Sequence, residues 1–355
     1  MGIKRTPYYF NEFRCIGGRC EDNCCIGWEV DIDDDALEVY NSADGEFGER
    51  LRSSMSEENS FMLKNNRCPF LNDENLCDIF INLGDENLCT VCTEYPRFKE
   101  FFGELTEVGI GLSCETAAEL ILGSDEKTYF VTEETDDIGE IDFEKDFLEE
   151  LIEIRENIFE ILQNREILLN DRIKKIFVYA ENVQDKINNN GVESGDKFEI
   201  CQSEKSIKNL ENCIALCLDL EILADNWIDT VHEVIDIFDD AYLENCKEFE
   251  KYIKDREYEY EHILVYFIYR YMLKAVFDYD VLTKVKFAVV SYIIIKQMDI
   301  ARWLKNGREF TFTDRIKNAV LYSKEVEHCQ DNVDFFSEEF IFNEVFEREN
   351  FIGII

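Results

Sequence analysis

Proline is nearly absent from this sequence. The 355 residues contain three, Pro7, Pro69 and Pro96, all within the first hundred positions. Histidine is as scarce, with only His232, His262 and His328. Basic residues are few: 37 Lys and Arg stand against 78 Asp and Glu, a formal charge of −41. A chain this acidic lacks the cationic face that phosphate backbones require, which excludes general DNA or RNA binding. It equally excludes a polybasic membrane-surface role. Long apolar runs are missing too. The most apolar stretch, Phe287 to Ile295, is bounded by Lys286 and Lys296 and is too short to span a bilayer. The opening MGIKRTPYYF has no signal-peptide core. The expected protein is therefore soluble and cytoplasmic, with no nucleic acid or membrane partner. Its acidity favours cationic partners such as metal ions, Lys-rich polypeptides or a positively charged small molecule.

What is present divides the chain in two. Nine of the fourteen cysteines and eleven of the sixteen glycines lie within residues 1–123. That segment reads as a loop-rich domain held by metals or cross-links. Acidity does not distinguish the halves, since 10 basic and 25 acidic residues in 1–123 are followed by 27 and 53 in 124–355. Residues 124–138, where acidic residues and Thr cluster, are expected to form a linker. From 139 to 355 there is no proline, and apolar residues recur at three- and four-residue steps, the helical period. Helices are expected over 141–162, 166–187, 206–223, 227–243, 261–277, 281–304, 313–323 and 337–348. Connections are expected at 188–194 and 307–311. The fold class is mainly α: a cysteine-rich metal-binding domain followed by an antiparallel helical bundle.

The cysteines carry the strongest chemical signal. They run Cys15-x4-Cys20-x3-Cys24-Cys25, then Cys68-Pro-Phe-Leu-x5-Cys77, then Cys89-x2-Cys92, then Cys114. Short spacings let one turn present several thiolates to one centre. A reducing compartment disfavours disulfides, so metal ligation is the preferred reading. No histidine lies among these residues. An all-thiolate sphere suits zinc and [4Fe–4S] clusters equally. Nine thiols would serve two four-ligand sites with one to spare, or a single cluster. Adjacent Cys24 and Cys25 could serve one centre or two.

Several other patterns fail. Asp31 to Asp35 begins like a calcium loop, but Ala36 and Ser42 occupy positions that need Gly and Glu. A helix N-terminus with favourable dipole contacts is expected there instead. Glu107 to Gly111 resembles part of a nucleotide loop, but Cys114 replaces its third glycine. It reads as a strand or turn leading to a ligand, so no Rossmann-type donor site is expected. The radical-type C-x3-C-x2-C pattern is absent, because Gly27 stands where the third cysteine belongs. Cys213 and Cys217 read as helical core. His262 reads as a satisfied core or cap histidine. Tyr266, Tyr269, Tyr271 and Arg270 read as bundle core and rim, or as a pocket wall facing the cysteine domain.

Taken together, Phe13-Arg14-Cys15, Cys20-Glu21-Asp22-x-Cys24-Cys25-x-Gly27-Trp28, Cys68-Pro69-Phe70-Leu71, Leu76-Cys77, Cys92-x2-Tyr95-Pro96-Arg97 and Ser113-Cys114-x-Thr116-Ala117-Ala118 resemble the flagellin lysine N-methylase family. These motifs span residues 8–122. Cys20-x3-Cys24-Cys25 departs from the family's C-x2-C-x2-C-C spacing. The resemblance implies transfer of a methyl group from S-adenosylmethionine to lysines of flagellin, or of another Lys-rich protein, with a cysteine-held [4Fe–4S] cluster or zinc. Methylation needs a neutral amine, whereas free lysine titrates near about 10.4, so the site must desolvate the amine or supply a base. Tyr95 and Glu94 are the candidate bases. Arg97 is the candidate holder of the donor's carboxylate, and Trp28 could stack on a cation. Two non-methylase readings stand beside this one: a zinc-stabilised module that binds a basic partner, and an Fe–S redox protein.

Overall fold

The computed structural model describes residues 1–21, 23–27, 30–189, 199 and 206–355. It is mainly helical, with one small sheet. The sheet has the order β2-β3-β1-β4, from β1 (Gly2–Pro7), β2 (Arg97–Phe102), β3 (Leu105–Ile110) and β4 (Phe130–Thr135). β2 and β3 form an antiparallel hairpin with Phe102 opposite Leu105. β1 lies parallel to β3, pairing Arg5 with Glu107, and antiparallel to β4, pairing Pro7 with Phe130. β3 is covered on both faces. Thr106, Glu107, Val108 and Ile110 are all buried. Gly109 is required for this packing, because a Cβ there would lie 2.3 Å from the Phe98 ring.

Residues 124–138, expected as a linker, thus contain a strand. Val131, Thr132 and Thr135 are β-branched and suit a half-exposed pleat. β1 offers them an open edge, and all six β4 positions keep at least partial solvent contact.

The chain between β1 and β2 carries a small separate core. Val30, Ile32, Ala36, Tyr40, Leu51, Phe61, Phe70, Ile79, Cys68 and Cys89 are buried together there. Four short helices frame it: α1 (Asp34–Ser42), α2 (Gly45–Ser53), α3 (Asp78–Leu83) and α4 (Thr90–Glu94). Asp33 caps α1 by accepting from the Ala36 amide at 3.1 Å, with Asp34 and Asp35 in the first turn. The helix N-terminus expected from the acidic run is therefore present.

The main core ignores residue 123. Tyr9, Phe13, Phe102, Ile110 and Leu112 join it together with α5 (Glu115–Leu122) and the helices that follow. Those are α6 (Lys145–Leu162), α7 (Leu169–Asn188), α8 (Ile207–Ala215), α9 (Trp227–Ile235), α10 (Tyr242–Tyr252), α11 (Tyr258–Tyr271), α12 (Ala275–Asp278), α13 (Val281–Lys305), α14 (Phe312–Val326), α15 (Gln330–Phe342) and α16 (Arg348–Ile354). α13 contains the Phe287–Ile295 run and is buried almost all round, as expected of a central helix. No helix among the described residues is long and apolar enough to cross a membrane.

The sheet is fastened to the bundle by polar groups as well as packing. Arg155 of α6 forks onto Glu107 of β3, with one bond at 2.7 Å and both side chains almost wholly buried. Tyr269 of α11 donates to the carbonyls of Arg5 (2.8 Å) and Val108 (3.2 Å).

Two expected helices are broken. The 227–243 segment stops at Ile235, and the Asp239 carboxylate accepts from the Ala241 amide at 2.8 Å before α10 begins. The 337–348 segment stops at Phe342. There Asn343 accepts from the Val345 amide at 3.0 Å, and the helix restarts at Arg348. In both places a short polar side chain satisfies the backbone outside a helix. The 206–223 helix shortens to α8 and a single 3-10 turn. The 307–311 connection is present, whereas most of 188–194 lies outside the described residues.

Candidate functional site

Turns built on asparagine present the cysteines. The Asn23 side chain accepts from the Cys25 amide at 2.9 Å. Asn72 accepts from the amides of Glu74 and Leu76, just before Cys77. Asn65, Asn66 and Asn75 adopt positive φ, which asparagine tolerates better than most residues. The Cys68 amide donates to the Cys25 carbonyl at 2.8 Å. Leu71 bridges to Cys77, which precedes α3. Cys89 precedes α4, and the Cys92 amide donates back to its carbonyl at 2.9 Å. The Asp33 carboxylate reaches across to the Thr90 amide at 2.6 Å and so ties α1 to α4. Bonds from Thr90 and Ala36 hold that carboxyl below its usual range.

All nine cysteines predicted as ligands fall in two adjoining regions. Cys68 and Cys89 are buried in the small core, and Cys25 and Cys77 pack against it. Cys92 follows one turn after Cys89, exposed at the edge. Cys114 packs instead against the main core. The Cys20 sulfur lies 3.6 Å from the Glu115 carboxylate next door. Among the described residues every cysteine is free of disulfides.

The thiols act on one another. Burial pushes Cys68 up to about 11, with Cys77 and Cys89 adding to it. Burial likewise raises Cys77. It pushes Cys114 up to about 11, reinforced by Cys24 and Cys15. Cys25 is raised chiefly by its hydrogen bond with Cys24, and Cys92 by its hydrogen bond with Cys89. Cys89 is lowered, first by the Cys92 thiol and then by the Tyr40 hydroxyl 3.4 Å away. Among the described residues, no three His, Cys, Asp or Glu side chains converge as a ready metal cage. The thiols pair with each other instead. The donor set is nonetheless that of a thiophilic metal, with many sulfurs, little competing carboxylate and no imidazole among them.

The other candidates have the following surroundings. The Tyr95 hydroxyl lies 3.0 Å from the Ser113 carbonyl, to which it donates, and 3.2 Å from the Ser113 hydroxyl. Arg97 lies over the Phe13 ring at 5.0 Å and donates to the Thr93 carbonyl at 3.2 Å. Glu94 is exposed at the end of α4. Trp28 lies outside the described residues. His262 is a satisfied core histidine, with Thr128 at 3.0 Å and the Ser124 carbonyl at 2.8 Å. Cys213 and Cys217 are core.

Sequence reasoning missed the partners of Ser113. His328, just beyond α14, places Nε2 2.6 Å from the Ser113 hydroxyl. Burial, together with the positive charges of Arg270 and Lys324, lowers His328 to about 4. It is therefore a neutral imidazole at neutral pH. Behind it lies a charged knot in which Glu327 accepts from Tyr266 and Tyr271, both at 3.0 Å, and pairs with Arg270 at 3.3 Å. Tyr266 also receives the Leu112 amide at 3.2 Å. Gly111 leaves room for this approach, since a Cβ there would lie 3.2 Å from the Arg270 guanidinium. The tyrosines and Arg270 thus form the bundle wall facing the Ser113–Cys114 loop. One available signal was that Ser113 directly precedes a candidate ligand. No spacing could announce His328, 215 residues away.

Comparison with known proteins gives a consistent result. The FliB lysine N-methylase C-terminal domain matches residues 155–354, more than half of the chain. A flagellar biosynthetic protein FliU of Salmonella muenchen is 24% identical over 130 residues, covering 33% of this chain and 75% of its own length. Lysine-N-methylases of Salmonella typhimurium and Salmonella choleraesuis are each 23% identical over 130 residues, covering 33% of this chain. The match spans only 31% of those two methylases. No solved structure matches. The family suggested by the cysteine motifs is met again, independently, in the helical region: the chain belongs to the FliB lysine N-methylase family.

Proposed function

We propose that this protein transfers a methyl group from S-adenosylmethionine to lysine amines of flagellin, with a cysteine-ligated metal centre beside the reacting groups. The observation that carries the proposal is the hydrogen-bonded chain Tyr95–Ser113–His328, set between two candidate ligands, Cys92 and Cys114, in a member of a lysine methylase family.

In the transfer, the amine nitrogen forms a bond to the donor's methyl carbon as the sulfonium C–S bond breaks. S-adenosylhomocysteine leaves, and the methylated ammonium passes its proton to solvent. Tyr95, held by its hydrogen bond to Ser113, is the candidate acceptor for a substrate N–H, which would aim the nitrogen's lone pair. A neutral His328 adds no positive charge against a cationic donor and a cationic lysine. The acidic surface attracts both. Arg97, beside Tyr95, is the candidate partner for the donor's carboxylate. The nine thiols would hold the metal as a [4Fe–4S] cluster or zinc, which would supply structural cross-linking and, if iron–sulfur, redox or sulfonium-directed chemistry.

The test is anaerobic incubation of the purified protein with flagellin and methyl-labelled S-adenosylmethionine. Label in flagellin lysines supports the reading. Absence of transfer from metal-replete protein to any Lys-rich protein would reject it. Tyr95→Phe is expected to lower kcat at least about tenfold, corresponding to the loss of one positioned hydrogen bond.

A further inference from the structure

We propose that the outer edge of β4 is a docking site for an extended, lysine-bearing segment of the protein substrate, which adds to the sheet as a fifth strand. The inference rests on the substrate reading above and supplies its recognition surface.

The edge is open and its direction is fixed by the ladder beside it. Among the described residues β4 pairs with β1 alone. The Tyr8 amide donates to the Tyr129 carbonyl at 3.1 Å, whereas the Ile3 amide turns the other way, to the Glu104 carbonyl at 2.7 Å. Backbone groups alternate in direction along such a ladder. Residues 129, 131, 133 and 135 therefore face β1, and the N–H and C=O groups of Phe130, Thr132 and Glu134 face outward. Natural edges are commonly blunted by proline, lysine or a bulge. β4 has neither proline nor lysine, and its six pairs with β1 run without a bulge. Phe130 stacks on the Phe159 and Tyr269 rings at 5.0 and 4.5 Å, which anchors the strand to the bundle.

The chemistry of the edge selects its occupant. Residues 124–138 carry six acidic side chains and one lysine. Glu133 and Glu134 stand on opposite faces of the pleat, so lysines at either parity of an added strand meet a carboxylate. Glu133 already pairs with Lys4, but among the described residues no ion pair engages Glu134 or Asp136. Val131, 47% exposed, offers apolar contact to lysine stems. A second copy does not suit the edge. Two-fold pairing would set these acids against one another, between chains that each carry −41. The Phe130 end of β4 lies at the same end of the sheet as Arg97, since Phe130 pairs with Pro7, β1 runs parallel to β3, and Ile110 pairs with Arg97. Three strand spacings place β4 about 15 Å from β2. The reacting lysine therefore lies outside the docked segment, about five residues along an extended substrate.

The test measures binding of flagellin, and of a short peptide alternating Lys with Thr, to the full chain by fluorescence anisotropy. Thr132→Pro removes an outward N–H and leaves the bonds to β1 intact. It is expected to weaken both complexes at least about tenfold without changing the thermal transition. The double variant Glu133→Lys, Glu134→Lys should weaken them as much and reduce their salt dependence, and it tests the edge even if Thr132→Pro does not fold. Hydrogen exchange should show new protection of residues 130–134 when the peptide binds. Methyl transfer to free lysine should be unchanged in Thr132→Pro, while KM for flagellin rises. Equal peptide affinity in wild type and both variants would overturn the proposal, as would a wild-type dimer that Thr132→Pro dissolves. A wild type that binds the peptide through this edge but methylates nothing would reject the methylase reading and leave the docking site standing.

Discussion

The small core and the main core solve the same problem with different materials. The small core buries ten residues, two of them cysteines, among short helices and asparagine turns. The main core buries long aliphatic and aromatic faces along α6, α7, α11, α13 and α14. A domain with so little apolar interior needs staples, and the thiols gathered around it are the available material. The main core needs none. Of the cysteines on it, Cys213, Cys217 and Cys246 are buried within the helical packing.

Removal of the metal proposed above should break this contrast most strongly. Chelation, or Cys68→Ser, is expected to unfold the small core while the helical signal persists, because structural metal binding is worth roughly 10 kcal/mol or more to such a domain. Hydrogen exchange resolved by peptide would show loss of protection in residues 30–92 and little change in α13. Uniform loss across both regions would merge the two cores into one cooperative unit.

Glu107→Ala should come next. It strands the Arg155 guanidinium in the interior, at a cost of about 3–5 kcal/mol, and the loss should appear in the main thermal transition. A third prediction concerns acid. His328 titrates near 6.5 when unfolded and is lowered to about 4 in the fold. Between those values the unfolded chain binds more protons, so stability present above pH 6.5 is lost as pH falls toward 4, by up to about 3 kcal/mol. His328→Gln should flatten this slope in denaturant titrations from pH 7 to 4. An unchanged slope would assign the acid sensitivity elsewhere. The smallest effect should be Asp33→Ala. Removing the α1 cap and its bond to Thr90 should cost about 1 kcal/mol and should be felt only in the small core.

The sequence displayed the helical elements better than their seams. α6, α7, α13 and α14 carry their apolar stripes within one continuous stretch, so periodicity reveals them. The Asp31–Asp35 run announced a helix start through local capping chemistry, and Glu107–Gly111 was legible as strand or turn. The sheet as a whole was not, because its strands come from positions as far apart as Gly2 and Thr135, and pairing over that distance leaves no local pattern. The acidic, Thr-containing stretch before α6 therefore looked like a linker. The cysteine motifs identified the family from the first third of the chain, whereas the family's domain model matches the last part. The link between them, Ser113 to His328, is a tertiary contact with no sequence signature.

The order of the strands has a consequence for how the chain assembles. Eight of the nine clustered cysteines lie between β1 and β2, and the ninth follows β3. β1 has no partner until β3 and β4 exist, so the first strand must wait for more than a hundred residues to follow it. Until then the loop is an open tether, and its thiols sample wide separations. Once β1 docks on β3, both ends of the loop are pinned, and Cys15 to Cys25 need only a short excursion to meet Cys114. The entropy of closing that circuit is then borne by sheet pairing. Strand registration and the gathering of the sulfurs thus become a single late event in folding.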